Sequence, residues 1–267
     1  MIKTYENGDE FIKENAGYLK TNEYLTAFFF KNAEYIKNAD KYNYALKAYS
    51  GSGKLLALKL HPYSLLLFGD ETLSEEMLSF IENSGYYVDA YLCDETIGER
   101  FKKHYKENFG VTFREALAMD FMEAKEKYDT DASAVETPSD DDTEEINELL
   151  QRFIYDCGLR DKVNKENTAK TIGNFRIIRK DGMIVSMAKV TNNTPSSEKI
   201  LDVYTRNEYR GKGYARKVVA ALQNEILDSG CKAVLNVDKN NPISNALYKS
   251  LGFIKLFSHG EYRRIDD

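Results

Sequence analysis

Apolar positions recur at helical spacing just after the middle of the chain. Ile146, Leu149, Leu150, Phe153, Ile154 and Cys157 fall on one face and predict a helix with its inner side in a core. Asp142 with Glu145 suits the start of that helix, and Gly158 suits its end. The pattern then changes to short alternating runs. Residues 175–179 and 183–190 read as strands joined by a hairpin turn at Lys180-Asp181-Gly182, and 200–205 as a third strand after a loop at 192–197. Glycines follow and lead into a helix whose inner face is Tyr214, Ala215, Val218, Val219, Leu222 and Ile226. Gly230 ends it. Residues 233–237 form a continuous apolar run of the kind buried on both faces of a parallel sheet. A short helix at 242–251, opened by Pro242 and stopped by Gly252, precedes a last strand at 253–265.

The first half repeats this order in weaker form. A helical pair at 9–36 comes before two strands, 42–49 and 55–60, around the turn Ser50-Gly51-Ser52-Gly53. Then follow a strand at 63–68, a helix at 73–81, a strand at 87–92, a helix at 97–109 ending at Gly110, and a strand at 111–122. The shared order reads as a divergent internal duplication, although unrelated α/β domains can share such an order too. Between the halves, residues 129–142 are polar, acidic and without period, which reads as a linker. The expected division is 1–128, linker 129–142 and 143–267. The expected class is α/β (α+β), with two three-layer mixed-sheet domains.

Composition narrows the function classes. The net charge of -6 over 267 residues excludes a generally basic nucleic-acid binder and gives no attraction to an anionic membrane. No apolar run is long enough to span a bilayer, and the first residues lack a signal-peptide core. Cys93, Cys157 and Cys231 lie beside apolar residues without metal-type spacing; they read as small buried hydrophobes in a reduced, cytoplasmic protein. His61, His104 and His259 form no metal or triad pattern, so no metal is expected. Ser50-Gly51-Ser52-Gly53-Lys54 lacks the spacing and hydroxyl of a phosphate-binding P-loop, and a hairpin explains it.

The segment that carries chemistry is Arg210-Gly211-Lys212-Gly213-Tyr214-Ala215, where a strand ends in glycines and opens a helix. The first amides of a helix have no partner inside it, and the dipole favours an anion there. Glycines let the backbone approach a ligand closely. Arg210, Lys212, Arg216 and Lys217 add positive charge to an acidic chain. This run resembles motif A of the GCN5-related N-acetyltransferase (GNAT) superfamily, Arg/Gln-x-x-Gly-x-Gly/Ala, with Arg210, Gly213 and Ala215 in the defined places. Further on, Asn241 opens a short helix, Tyr248 lies on it, and Gly252-Phe253 ends it, which resembles the family's second motif. The resemblance covers about 143–267. It implies a GNAT fold there, and the first half reads as a divergent GNAT-like domain that has lost the cradle: Asp70 and Glu71 at its matching strand end would repel a pyrophosphate.

The resemblance implies the rest of the site. Acetyl-CoA would lie between two splayed strands, its pantetheine arm on the backbone of Val203, Tyr204 and Thr205 and its pyrophosphate on the amides of Gly211 to Ala215. Asn241 would contact the pantetheine arm or nearby backbone, and Ser244 would pack near the CoA sulfur; the plain alternative for Asn241 is a helix cap. Tyr248 would protonate the leaving thiolate; the plain alternative is one more helix tyrosine among 19. An amide near Thr205 would hold the oxyanion. For the acceptor's proton, Asp202 is the leading candidate, sharing by alternation the face of Tyr204, with Asp238 and Glu208 behind it. Each of these carboxylates is also an ordinary solvated or capping group. The implied reaction is acetyl transfer to a small-molecule or peptide primary amine; a CoA-binding sensor without turnover is the alternative. A homodimer is compatible with the aromatic richness of the first half.

Overall fold

The computed structural model describes residues 1–158 and 162–265. The elements are β1 (Ile2–Tyr5), α1 (Gly8–Leu19), α2 (Glu23–Ala33), β2 (Tyr44–Ser50), β3 (Gly53–Lys59), β4 (Leu65–Gly69), α3 (Ser74–Asn83), β5 (Ala90–Asp94), α4 (Glu95–Phe109) and β6 (Thr112–Ala124). They continue with α5 (Thr143–Asp156), α6 (Lys165–Lys170), β7 (Phe175–Lys180), β8 (Met183–Thr194), β9 (Ser197–Thr205), α7 (Tyr214–Asp228), β10 (Lys232–Asp238), α8 (Pro242–Ser250) and β11 (Ile254–Ile265). The class is mixed α/β, as expected. Two short elements, β1 and α6, are additional to the sequence reading, because four and six residues are too few to show a period. The expected loop at 192–197 is instead a tight hairpin end, tied by Thr194 and Ser197 hydroxyls 2.7 Å apart.

Two compact units emerge: residues 1–120, 238–240 and 257–267 form the first, and 121–237 with 241–256 the second. This partition is interleaved, unlike the division drawn at 129–142. A strand's own pattern shows that it is buried, and it does not show which distant strand it will pair with.

In the first unit the strands run β1-β2-β3-β4-β5-β11, with the start of β6 beside β11. Pairing is antiparallel from β1 to β4 and parallel between β4 and β5. Alternation along β3 sends Leu55 and Ala57 to the core shared with α3 and α4, and Leu56 and Leu58 to the core shared with α1 and α2. The result is three layers. Lys3 and Lys47 on neighbouring strands both grip Glu14 of α1. Their hydrogen bonds hold its carboxyl at about 2. A lowered folded pKa stabilises above the unfolded value, near 4.3, and that stabilisation is lost as pH falls through the folded one. The melting-temperature gap between the wild type and Glu14→Gln should therefore be full at neutral pH and close near pH 2; a gap independent of pH would rule this out.

In the second unit the end of β6 is followed by β10-β9-β8-β7. β7, β8 and β9 pair antiparallel, and β9 with β10 parallel. One face packs on α7 and α8 through Val185, Ile200, Val219 and Leu235; the other packs on α5 through Ile146, Leu149, Ile177 and Met187. The inner face expected for α5 holds for its first turns. Phe153 and Ile154 are half-buried, and Cys157 is exposed rather than buried. Cys93 is buried as expected, and Cys231 is intermediate. Buried Arg206 ties the two ends of this layer, donating to Ile184 O at 2.7 Å and to Glu145 at 2.8 Å.

Candidate active site

The site begins with a break in pairing. β9 and β10 pair from Ser197–Lys232 to Ile200–Leu235, and among the described residues their ladder goes no further. Past that point Leu201 to Thr205 keep β8 on one side only. The cause lies in β9 itself. Asp202 has φ +53, a left-handed conformation uncommon outside glycine. Met187 pairs with Tyr204 and Lys189 with Leu201, so Ala188 faces two residues, a β-bulge. The bulge reverses the phase of the strand. Ile200 and Val203 pack on the α7 side, and Tyr204 packs on the α5 side. This corrects the placement of Asp202: unbroken alternation no longer assigns it to the face of Tyr204.

β9 runs through Arg206 into the glycine turn. Gly211 and Gly213 have φ +75 and +82, which L side chains adopt at a cost. A Cβ at either would meet nothing within 4 Å. Gly213 is the N-cap of α7 and no side chain caps that helix, so its first amides face outward. An anion fits here: donors, dipole and open space coincide.

The cations are arranged differently from their sequence reading. Arg210 donates to Thr205 O at 3.0 Å and to Asp156 at 3.1 Å, with its guanidinium carbon 5.5 Å from the centre of the Tyr204 ring. Lys212 donates to Glu208 O at 3.1 Å, and Lys217 to Asp131 at 3.4 Å. Their charges remain near the turn, but three of the four side chains are already engaged. Arg216 is exposed.

On α8, Asn241 accepts from Ser244 N at 3.0 Å and is the helix cap. Tyr248 is 7% exposed, with its ring edge-on to Phe253 at 6.0 Å. Burial pushes its hydroxyl pKa well above the ordinary value, so it keeps its proton at neutral pH. Asp238 accepts from Asn240 N at 2.8 Å, a turn-capping contact, and belongs to the first unit. Glu208 is exposed.

One residue was not singled out by the sequence. Asp156, at the end of α5, accepts from the Tyr204 hydroxyl at 3.2 Å as well as from Arg210. The Tyr204 pKa is raised by burial first and by Asp156 next, while Arg210 and Arg152 oppose the shift. No local signal marks Asp156, because Arg210 lies 54 residues away along the chain.

The matching strand end of the first unit is built otherwise. Gly69 also has positive φ, but a Cβ there would lie 2.1 Å from Lys54 O. Asp70 accepts from Thr72 N at 2.9 Å and from its hydroxyl at 2.6 Å. The protein's own carboxylate takes the exposed amide. Among the described residues no group of His, Cys, Asp and Glu could hold a metal ion, and no helix is long and apolar enough to cross a membrane.

Comparison with known proteins follows the same lines. The model of the acetyltransferase (GNAT) family matches residues 134–253. A GNAT-family acetyltransferase structure from Colwellia psychrerythraea aligns at TM-score 0.57 and 11% identity, covering 100% of both chains. A GCN5-related N-acetyltransferase from Sphaerobacter thermophilus aligns at 0.59 and 12%, covering 89% of this chain and 84% of that one. A Drosophila protein aligns at 0.58 and 11%, covering 99% and 98%. Identities this low speak to the fold alone. Curated proteins give no match. It is thus residues 134–253, somewhat under half of the chain, that are similar to the acetyltransferase (GNAT) family.

Proposed function

We propose that the chain is an acetyl-CoA-dependent N-acetyltransferase that acts on a primary amine by direct attack in a ternary complex. The observation that carries this is the parting of β9 from β10 in front of an uncapped helix with two open, left-handed glycines. The backbone of Val203, Tyr204 and Thr205 is the rail for the pantetheine arm, and the amides of Gly211 to Ala215 hold the pyrophosphate. Asn241 and Ser244 flank the arm from α8. Acetyl-CoA supplies the thioester. The Thr205 amide region steadies negative charge on the carbonyl oxygen. Tyr248, still protonated, donates to the departing sulfur. Asp202 remains the leading carboxylate for the amine's proton, through water. A location in a reducing compartment such as the cytoplasm accords with three free cysteines. The first unit reads as a divergent copy that binds no CoA, because Asp70 occupies its amide.

The direct test is to incubate the purified chain with acetyl-CoA and a panel of amines and to follow free thiol. Turnover is expected; binding of acetyl-CoA without turnover across a broad panel would favour a sensor instead. Tyr248→Phe should lower kcat by roughly 100-fold with CoA affinity nearly unchanged. Equal loss of both would remove Tyr248 from the acid role.

A further inference from the structure

The exposed face of α5 carries a second pattern. An open groove of about 470 Å³ runs along α5, lined by Glu148, Gln151, Arg152, Tyr155 and Asp156. At its end the Asp156 carboxylate is half committed. Tyr204 OH and Arg210 Nη2 both bind Oδ2, at 3.2 and 3.1 Å, and Oδ1 takes no partner among the described residues. The side chain is 31% exposed. A carboxylate has room for further donors, and an ammonium is a strong one. Arg152 lies four residues earlier, hence on the same helical face. It is exposed and makes no ion pair among the described residues, although Glu148 and Asp156 stand at pairing distance in sequence on either side. Both Arg152 and Asp156 act electrostatically on the Tyr204 hydroxyl, which brings them to the same end of β9.

We infer that the acceptor is a zwitterionic amine, an α-amino acid or close analogue, whose ammonium rests on Asp156 Oδ1 and whose carboxylate is held by Arg152. This inference rests on the acetyltransferase reading above. Arg210 already balances Asp156, and Glu148 and Arg152 both line the groove, so it holds charges of both signs. A net-neutral ligand with both charges close together matches it. A polycation would meet two arginines, and a simple amine would leave Arg152 unused. Arg152 has a planar fork of donors suited to a carboxylate. Asp156 already accepts from Arg210 and Tyr204 through Oδ2. It orients the ammonium, and the proton leaves by another route.

The test uses the full chain, acetyl-CoA and matched pairs of acceptors: common α-amino acids and the amines left when each loses its carboxylate. In the preferred pair the amino acid should show at least about a tenfold higher kcat/KM, the gain of one charge-assisted contact. Arg152→Gln should bring that ratio close to one, and Arg152→Lys should restore part of it. Asp156→Asn should raise KM for both members. Turnover of amines with no carboxylate preference, a preference unmoved by Arg152→Gln, or bound acetyl-CoA with no amino acid acetylated would each overturn the inference and leave the parent reading standing. Failure of acetyl-CoA to bind, measured by calorimetry, would instead remove both.

Discussion

Gly213→Val is expected to weaken acetyl-CoA binding by at least about 100-fold, or about 2.7 kcal/mol. Two effects add. Gly213 has φ +82, and a β-branched residue there costs of the order of 1–3 kcal/mol or displaces the backbone. Its Cβ would also project into the open space that the phosphates must enter to reach the amides of α7. The control is Gly230→Val. Gly230 has φ +84, equally open surroundings, and sits just past the other end of the same helix. Both variants should lose similar stability, and only Gly213→Val should lose affinity. Calorimetric titration of both with acetyl-CoA decides the matter: equal affinity loss would mean that strain, not the cradle, was being measured.

Tyr262→Ala is expected to destabilise the first unit by about 3–5 kcal/mol, as truncation of a large buried aromatic does. Tyr262 is fully buried, stacked on Tyr91 at 4.9 Å, on a strand paired with β5 from His259–Asp94 to Arg263–Ala90. The fit extends to α4: a Cβ at Gly98 would lie 2.2 Å from the Tyr262 ring. Such a loss is a large share of the 5–15 kcal/mol that holds a typical domain. The hydroxyl predicts the opposite sign. It is buried without a hydrogen-bond partner among the described residues, a state that costs about 1–3 kcal/mol. Tyr262→Phe should therefore match or exceed the wild type in urea denaturation. A loss of stability in the phenylalanine variant would reveal a hidden partner for that oxygen.

Much of this was legible in the sequence where the signal is local. The Gly211–Gly213 turn, the Asn241 cap and the buried face of α7 each follow from neighbouring residues alone. The hairpin at Ser50 and Gly53 was equally plain. What stayed hidden depends on distant partners. Nothing in Leu201-Asp202-Val203 announces a bulge: aspartate tolerates left-handed backbone better than most residues, but it does not require it. The charges of Arg210 and Lys217 were visible, but their engagement with Asp156 and Asp131 was not. The first half was expected to repel phosphate by charge. The structure adds a more specific reason, since Asp70 already accepts the Thr72 amide.

The interleaving of the two units bears on how the chain is made. Residues 257–265 complete the sheet of the first unit, yet they are synthesised after all of the second. A ribosome usually releases domains in order, the first folding while the next is still emerging. Here the first unit must wait, with the apolar edge of β5 exposed, until its last strand leaves the exit tunnel. Native structure should therefore be acquired in the reverse of translation order. The waiting β5 edge is the point at which a chaperone, or a second nascent copy, would most readily intervene.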